Sequence, residues 1–108
     1  MTTFNDRENA FEKKFERDQD LQFKVNARRN KLLGLWAAGV MGKSGAEAEG
    51  YAKEVVLADF EKPGDDDVMQ KLVKDLAAAG KPTGEPAIRK QAERLMAEAK
   101  TQLMAETK

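Results

Sequence analysis

The chain has 108 residues, 35% of them charged and 41% hydrophobic, and its 19 basic and 19 acidic side chains cancel. That length is one domain with a single modest core, and zero net charge excludes a general pull toward nucleic acid or anionic membrane. The absence of cysteine excludes disulfides and thiolate chemistry, and no apolar run approaches the roughly 20 residues of a membrane span. The N-terminus lacks the basic-then-apolar order of a secretory signal, so a cytoplasmic chain is expected.

Residues 1–20 hold ten charges, and their bulky apolar residues are Met1, Phe4, Phe11 and Phe15. The phenylalanines, spaced by seven and four, form one thin stripe on a helix. Glu8, Glu12, Glu16 and Asp20 repeat at i,i+4, where like charges cost about 0.2–0.5 kcal/mol per pair. Three rings amid such charge are not expected to hold a helix on a core. Residues 1–19 are therefore expected to be an arm, disordered or marginally helical when free and ordered by a partner that accepts the rings.

From Leu21 the stripe widens. Leu21, Val25, Leu32, Trp36 and Val40 recur at helical spacing, with Leu33 and Ala37 broadening the face. This first long helix is expected to run to about Met41 and stop at Gly42. Ser44-Gly45-Ala46-Glu47 has the spacing of a capping box. It opens a second helix from about Gly45 to Phe60, with Ala48, Tyr51, Ala52, Val55, Val56 and Phe60 inward. Lys62-Pro63-Gly64 stops it. Asp65, Asp66 and Asp67 suit the N-terminus of a third helix, whose face is Val68, Met69, Leu72, Val73 and Leu76 and whose end is Gly80. GKPTGEP at 80–86 is a linker. A fourth helix runs from about Pro86 to near Glu106, with Ile88, Ala92, Leu95, Met96, Ala99 and Leu103 in one stripe. Short connections between amphipathic helices favour antiparallel neighbours, so residues 20–108 are expected to form an all-α four-helix bundle.

Little in the chain suits catalysis. There is no histidine, which removes the usual general base and metal ligand at neutral pH. Ser44 is the only serine, and no base stands ready to activate it. The expectation is a protein that is not an enzyme, with no cofactor and no metal. Gly42, Lys43, Ser44 and Gly45 resemble the end of a phosphate loop, but Ala37 stands where its first glycine belongs and a helix precedes it. A weak anion or nucleotide site at this corner stays open as one alternative. Arg28, Arg29 and Lys31 are either a solvated helix face or a docking patch for an acidic surface. A bundle with some other protein partner is a further alternative.

Three stretches carry a resemblance. TTFNDRENAFEKKFERD, RRNKLLGLWAA and GAEAEGYAKEVVLADFE resemble the zeta subunit of alphaproteobacterial F-type ATP synthases. The resemblance covers nearly the whole chain and is strongest from Thr3 to Phe60. It implies a four-helix bundle bearing a mobile N-terminal arm. That arm would enter the catalytic sector of alpha, beta and gamma subunits, fold there as a helix, and block rotation in the ATP-hydrolysing direction. The role parallels that of the mitochondrial inhibitor protein. Carried onto this chain, the inhibitory segment is about Met1 to Gln19, including Phe4, Arg7, Phe11, Lys14 and Phe15, with the remainder as anchor. The resemblance further implies a chain that is monomeric when free and sits peripherally on the cytoplasmic face of the synthase.

Overall fold

The computed structural model describes residues 3–61 and 66–106, and five helices account for nearly all of these described residues. They are α1 (Thr3–Arg17), α2 (Gln19–Val40), α3 (Gly45–Glu61), α4 (Asp66–Ala78) and α5 (Glu85–Glu106), and the described residues contain no strand. Side chains are described from Asn9 onward, Phe60 and Glu61 excepted. The expected inward position of Phe60, the Lys62-Pro63-Gly64 stop and the contribution of Asp65 lie outside the described residues. Among these residues no helix is long and apolar enough to cross a membrane.

Helix α2 is the hub. It packs against α3, α4 and α5 and receives α1, while α3 packs on α4 and α4 on α5. Its C-terminus shows why the chain turns where it does. Gly42 takes φ +85, its amide donates to Gly39 O at 3.1 Å, and the Lys43 amide donates to Ala38 O at 2.8 Å. Gly80 (φ +77) repeats the motif after α4, with Gly80 N to Ala77 O and Lys81 N to Leu76 O. Both are glycine-terminated ends in which the last carbonyls are recovered by the two following amides.

The start of α3 differs from expectation. Gly45, the first residue of α3, adopts φ +57, outside the right-handed helical region that the position after a capping-box serine would take. Glu47 instead lies 3.9 Å from Lys43 Nζ.

The main core joins Leu33, Ala37 and Ala38 of α2 to Tyr51 and Val55 of α3, Val68, Met69, Leu72 and Leu76 of α4, and Ile88, Ala92 and Leu95 of α5. Val73 and Trp36 are only partly buried against it. The buried line of α2 therefore runs Leu21, Val25, Arg29, Leu33, Ala37, and the expected stripe of Leu32, Trp36 and Val40 flanks it. The difference has one cause: four-residue steps from Val25 land on a charged residue, and hydrophobicity alone steps around it.

Gly34 is buried where α2 crosses α3. A Cβ there would lie 2.7 Å from the Ala52 Cα and 3.1 Å from the Val55 Cγ2, so the close approach of the two backbones depends on this glycine.

A polar cluster ties α3 to α4. The Tyr51 hydroxyl donates to Asp75 Oδ2 at 2.8 Å, Lys71 Nζ donates to the same oxygen at 3.0 Å and to Glu54 Oε1 at 3.1 Å. Burial acts to raise the Asp75 pKa, but hydrogen bonds from Lys71 and Tyr51 outweigh it and hold the carboxyl below its ordinary range. A depressed carboxylate contributes stability that is present above its unfolded value and lost as pH falls through the folded one. Stability is expected to hold level through neutral pH and to decline below about pH 4, with a shallower acid decline in Asp75→Asn. Urea titrations at stepped pH check this, and an identical acid slope in the variant would remove Asp75 as the cause.

Candidate functional site

The charged N-terminal segment folds back. Asp18 lies between α1 and α2 with φ −103 and ψ 107, and its Oδ1 accepts from the amides of Asp20 (3.0 Å) and Leu21 (3.2 Å). It thereby caps α2 while its own amide still donates to Lys14 O of α1. The Gln22 side chain reaches across the bend. Its Nε2 donates to the carbonyls of Phe15 (2.9 Å) and Glu16 (3.2 Å), the open end of α1. One extended residue and two side chains make the bend.

The bend lays the C-terminal half of α1 on α2 and α5. Phe11 is 8% exposed and belongs to a second core cluster with Leu21, Val25, Ala99 and Leu103, against which Phe15, Met96 and Met104 pack. Two of the three rings, Phe11 and Phe15, thus pack on a cluster where the sequence reading expected too little apolar surface to hold the helix. Phe11 alone supplies about 1.5–3 kcal/mol of burial, and the surrounding charge is partly matched. Lys100 Nζ lies 4.4 Å from the centre of the Phe15 ring and 3.4 Å from Glu12 Oε2. Beside Phe11 a groove of about 480 Å³ remains open between α1 and α5, floored by Met96, Ala97, Thr101 and Met104. Lys14 is exposed, and the side chains of Phe4 and Arg7 lie outside the described residues.

Arg28, Arg29 and Lys31, which the sequence leaves open as a solvated face or a docking patch, do not form one exposed patch. Arg28 clamps Glu106 of α5 through both guanidinium nitrogens, at 2.9 and 3.0 Å, and also donates to Gln102 Oε1 at 2.7 Å. These bonds hold the Glu106 carboxyl below its usual range. Arg29 is 4% exposed, with Nε donating to Asn30 Oδ1 at 2.8 Å. Asn30 is wholly buried, and its Nδ2 has no partner among the described residues. Only Lys31 of the three is exposed. At the 42–45 corner the amides of Gly42 and Lys43 are committed to carbonyls of α2, so two of the donors an anion would use are occupied. Among the described residues no three acidic, histidine or cysteine side chains come together as a metal site, and Asp66 instead pairs with Arg89 at 3.3 Å.

A model of the family described as ATPase inhibitor subunit zeta matches residues 1–102. The chain belongs to that family. The zeta match takes in α1, the break at Asp18, all of α2 to α4, and α5 through Gln102. Three solved chains are similar. One, a solution NMR structure, is 56% identical with a TM-score of 0.71, over 80% of this chain and 98% of its own. Curated proteins yield no match.

Sequence reasoning missed the residues that hold α1 down. Asp18 carried a signal, an N-cap type three residues before the first core leucine. Gln22 and Lys100 carried none, because their roles depend on which helix lies opposite.

Proposed function

We propose that this chain inhibits ATP hydrolysis by an F-type ATP synthase, with α2 to α5 as a four-helix anchor and α1 as the segment that enters the catalytic sector. The observation that carries this reading is α1 itself, in a chain of the ATPase inhibitor subunit zeta family. It is an amphipathic helix with a thin phenylalanine stripe, joined to the rest through a single non-helical residue. A helix of this kind suits insertion into a groove between subunits, where rings fill pockets and the flanking charges meet polar rims. Phe4, Arg7, Phe11, Lys14 and Phe15 are the residues assigned to that contact. The partner is the alpha, beta and gamma catalytic sector, reached from the cytoplasmic side.

ATP hydrolysis by the isolated catalytic sector, measured with and without the purified protein, tests the proposal. Saturable inhibition at a one-to-one ratio is expected. Unchanged hydrolysis at large molar excess would dispose of it.

A further inference from the structure

We propose that the bent arrangement is a closed, non-inhibitory form of the chain, in which α5 competes with the catalytic sector for the phenylalanines of α1. This rests on the inhibitor reading above and adds a regulatory surface to it. The surface is Met96, Ala99, Lys100, Leu103 and Met104 of α5.

Three observations carry it. Phe11 at 8% exposure is already spent on Leu21, Val25, Ala99 and Leu103, and a ring buried there cannot fill a partner's pocket. Lys100 engages two features of the arm together, the Phe15 ring and the Glu12 carboxylate. Docking also requires the bend. In one continuous helix Glu12 and Arg28 would be about 24 Å apart along the axis at 1.5 Å per residue, yet they meet Lys100 and Gln102, two residues apart on α5. Opening therefore means straightening at Asp18.

The bend is built to be reversible. A continuous helix would use the Phe15 and Glu16 carbonyls as acceptors for Gln19 and Asp20, four residues on. The bent form replaces those bonds with the Gln22 amide, and the Asp18 carboxylate satisfies the Asp20 and Leu21 amides. Main-chain hydrogen bonds are exchanged for side-chain ones with little net change in number, so the balance is set by the packing of α1 on α2 and α5. A closed fraction of this kind reduces the apparent affinity for any partner that binds only the open form.

The test uses the full chain. With no native cysteine, Glu12→Cys with Lys100→Cys provides the sole pair of thiols, at positions whose side-chain ends lie 3.4 Å apart. A short, cleavable thiol-reactive linker then locks α1 shut. The locked protein is expected to lose inhibition of the catalytic sector by at least about tenfold in the concentration required, and cleavage is expected to restore it. Two opening variants act from different sides. Lys100→Glu places like charges together, and Asp18→Ala removes the cap that ends the bend. Each is expected to lower the half-inhibitory concentration by roughly three- to tenfold. If the locked protein inhibits as well as the cleaved one, the closed form is not autoinhibitory and the inhibitor reading stands. If neither wild type, nor the opening variants, nor the cleaved protein inhibits, both readings fall.

Discussion

Deletion of residues 1–17 is expected to abolish inhibition while α2 to α5 remain folded. The cut retains Asp18, so α2 keeps the carboxylate that caps its Asp20 and Leu21 amides, and it leaves the main core around Leu33, Met69, Leu72 and Ile88 untouched. It does remove Phe11 from Leu21, Val25, Ala99 and Leu103. Losing that burial costs about 1.5–3 kcal/mol, and in a domain of this size each kcal/mol moves the thermal midpoint by about 4–8 °C. Freeing the ordered α1 backbone returns entropy that opposes the loss. A midpoint lower by several degrees, with one cooperative transition and helical circular dichroism retained, is the expected outcome. Truncated protein that inhibits as well as the intact chain would show that α1 is not the inhibitory segment. Loss of the cooperative transition would show that α1 belongs to the structural core. Phe11→Ala is expected to reproduce most of the stability loss, because that ring is a core residue of the closed form as well as a candidate contact.

Replacing Gly34 by valine is expected to destabilise the fold by about 3 kcal/mol, at the upper end of typical overpacking costs. The added Cβ meets backbone, the Ala52 Cα at 2.7 Å, and not the movable end of a side chain. Relief therefore requires α2 and α3 to separate, which loosens Leu33, Ala37, Ala38, Tyr51 and Val55 together. With total stabilities of about 5–15 kcal/mol for domains of this kind, that is a large share. Gly50 is the internal control. It lies within α3 with nothing inside 4 Å of a built Cβ, so Gly50→Ala is expected to add about 0.5–1 kcal/mol through helix propensity. Urea midpoints of the two variants should move in opposite directions. A Gly34→Val midpoint equal to that of the parent would mean the crossing is not set by this glycine.

Much of the scaffold was legible in the sequence because it is written in local terms. Gly42 and Gly80 end helices through a backbone conformation that other residues resist. The stripes of α4 and α5 emerged with Leu72, Leu76, Ile88, Ala92, Leu95, Ala99 and Leu103 inward, as periodicity requires. Periodicity misled on α2, where the four other helices all pack against it and the buried face is wider than a stripe. There Arg29 and Asn30 enter the interior, and a pattern search for apolar residues has no means to see them. Gly34 was equally silent, since a glycine amid leucines signals a close crossing only when the opposing helix is known.

The sequence by itself determined that the chain is helical, where its main helices end, and that a charged segment with three phenylalanines stands apart in composition from the rest. Those properties depend on neighbours within one or two turns. The tertiary structure alone decided what the segment does when no partner is present. Phe11 finds Leu21 ten residues away and Leu103 ninety-two residues away, and Lys100 of the last helix holds Glu12 of the first. Burial and ion pairing depend on distance in space, which helical spacing cannot convey across four intervening turns of chain direction. The arm and its competitor therefore became visible together only once α5 was placed beside α1.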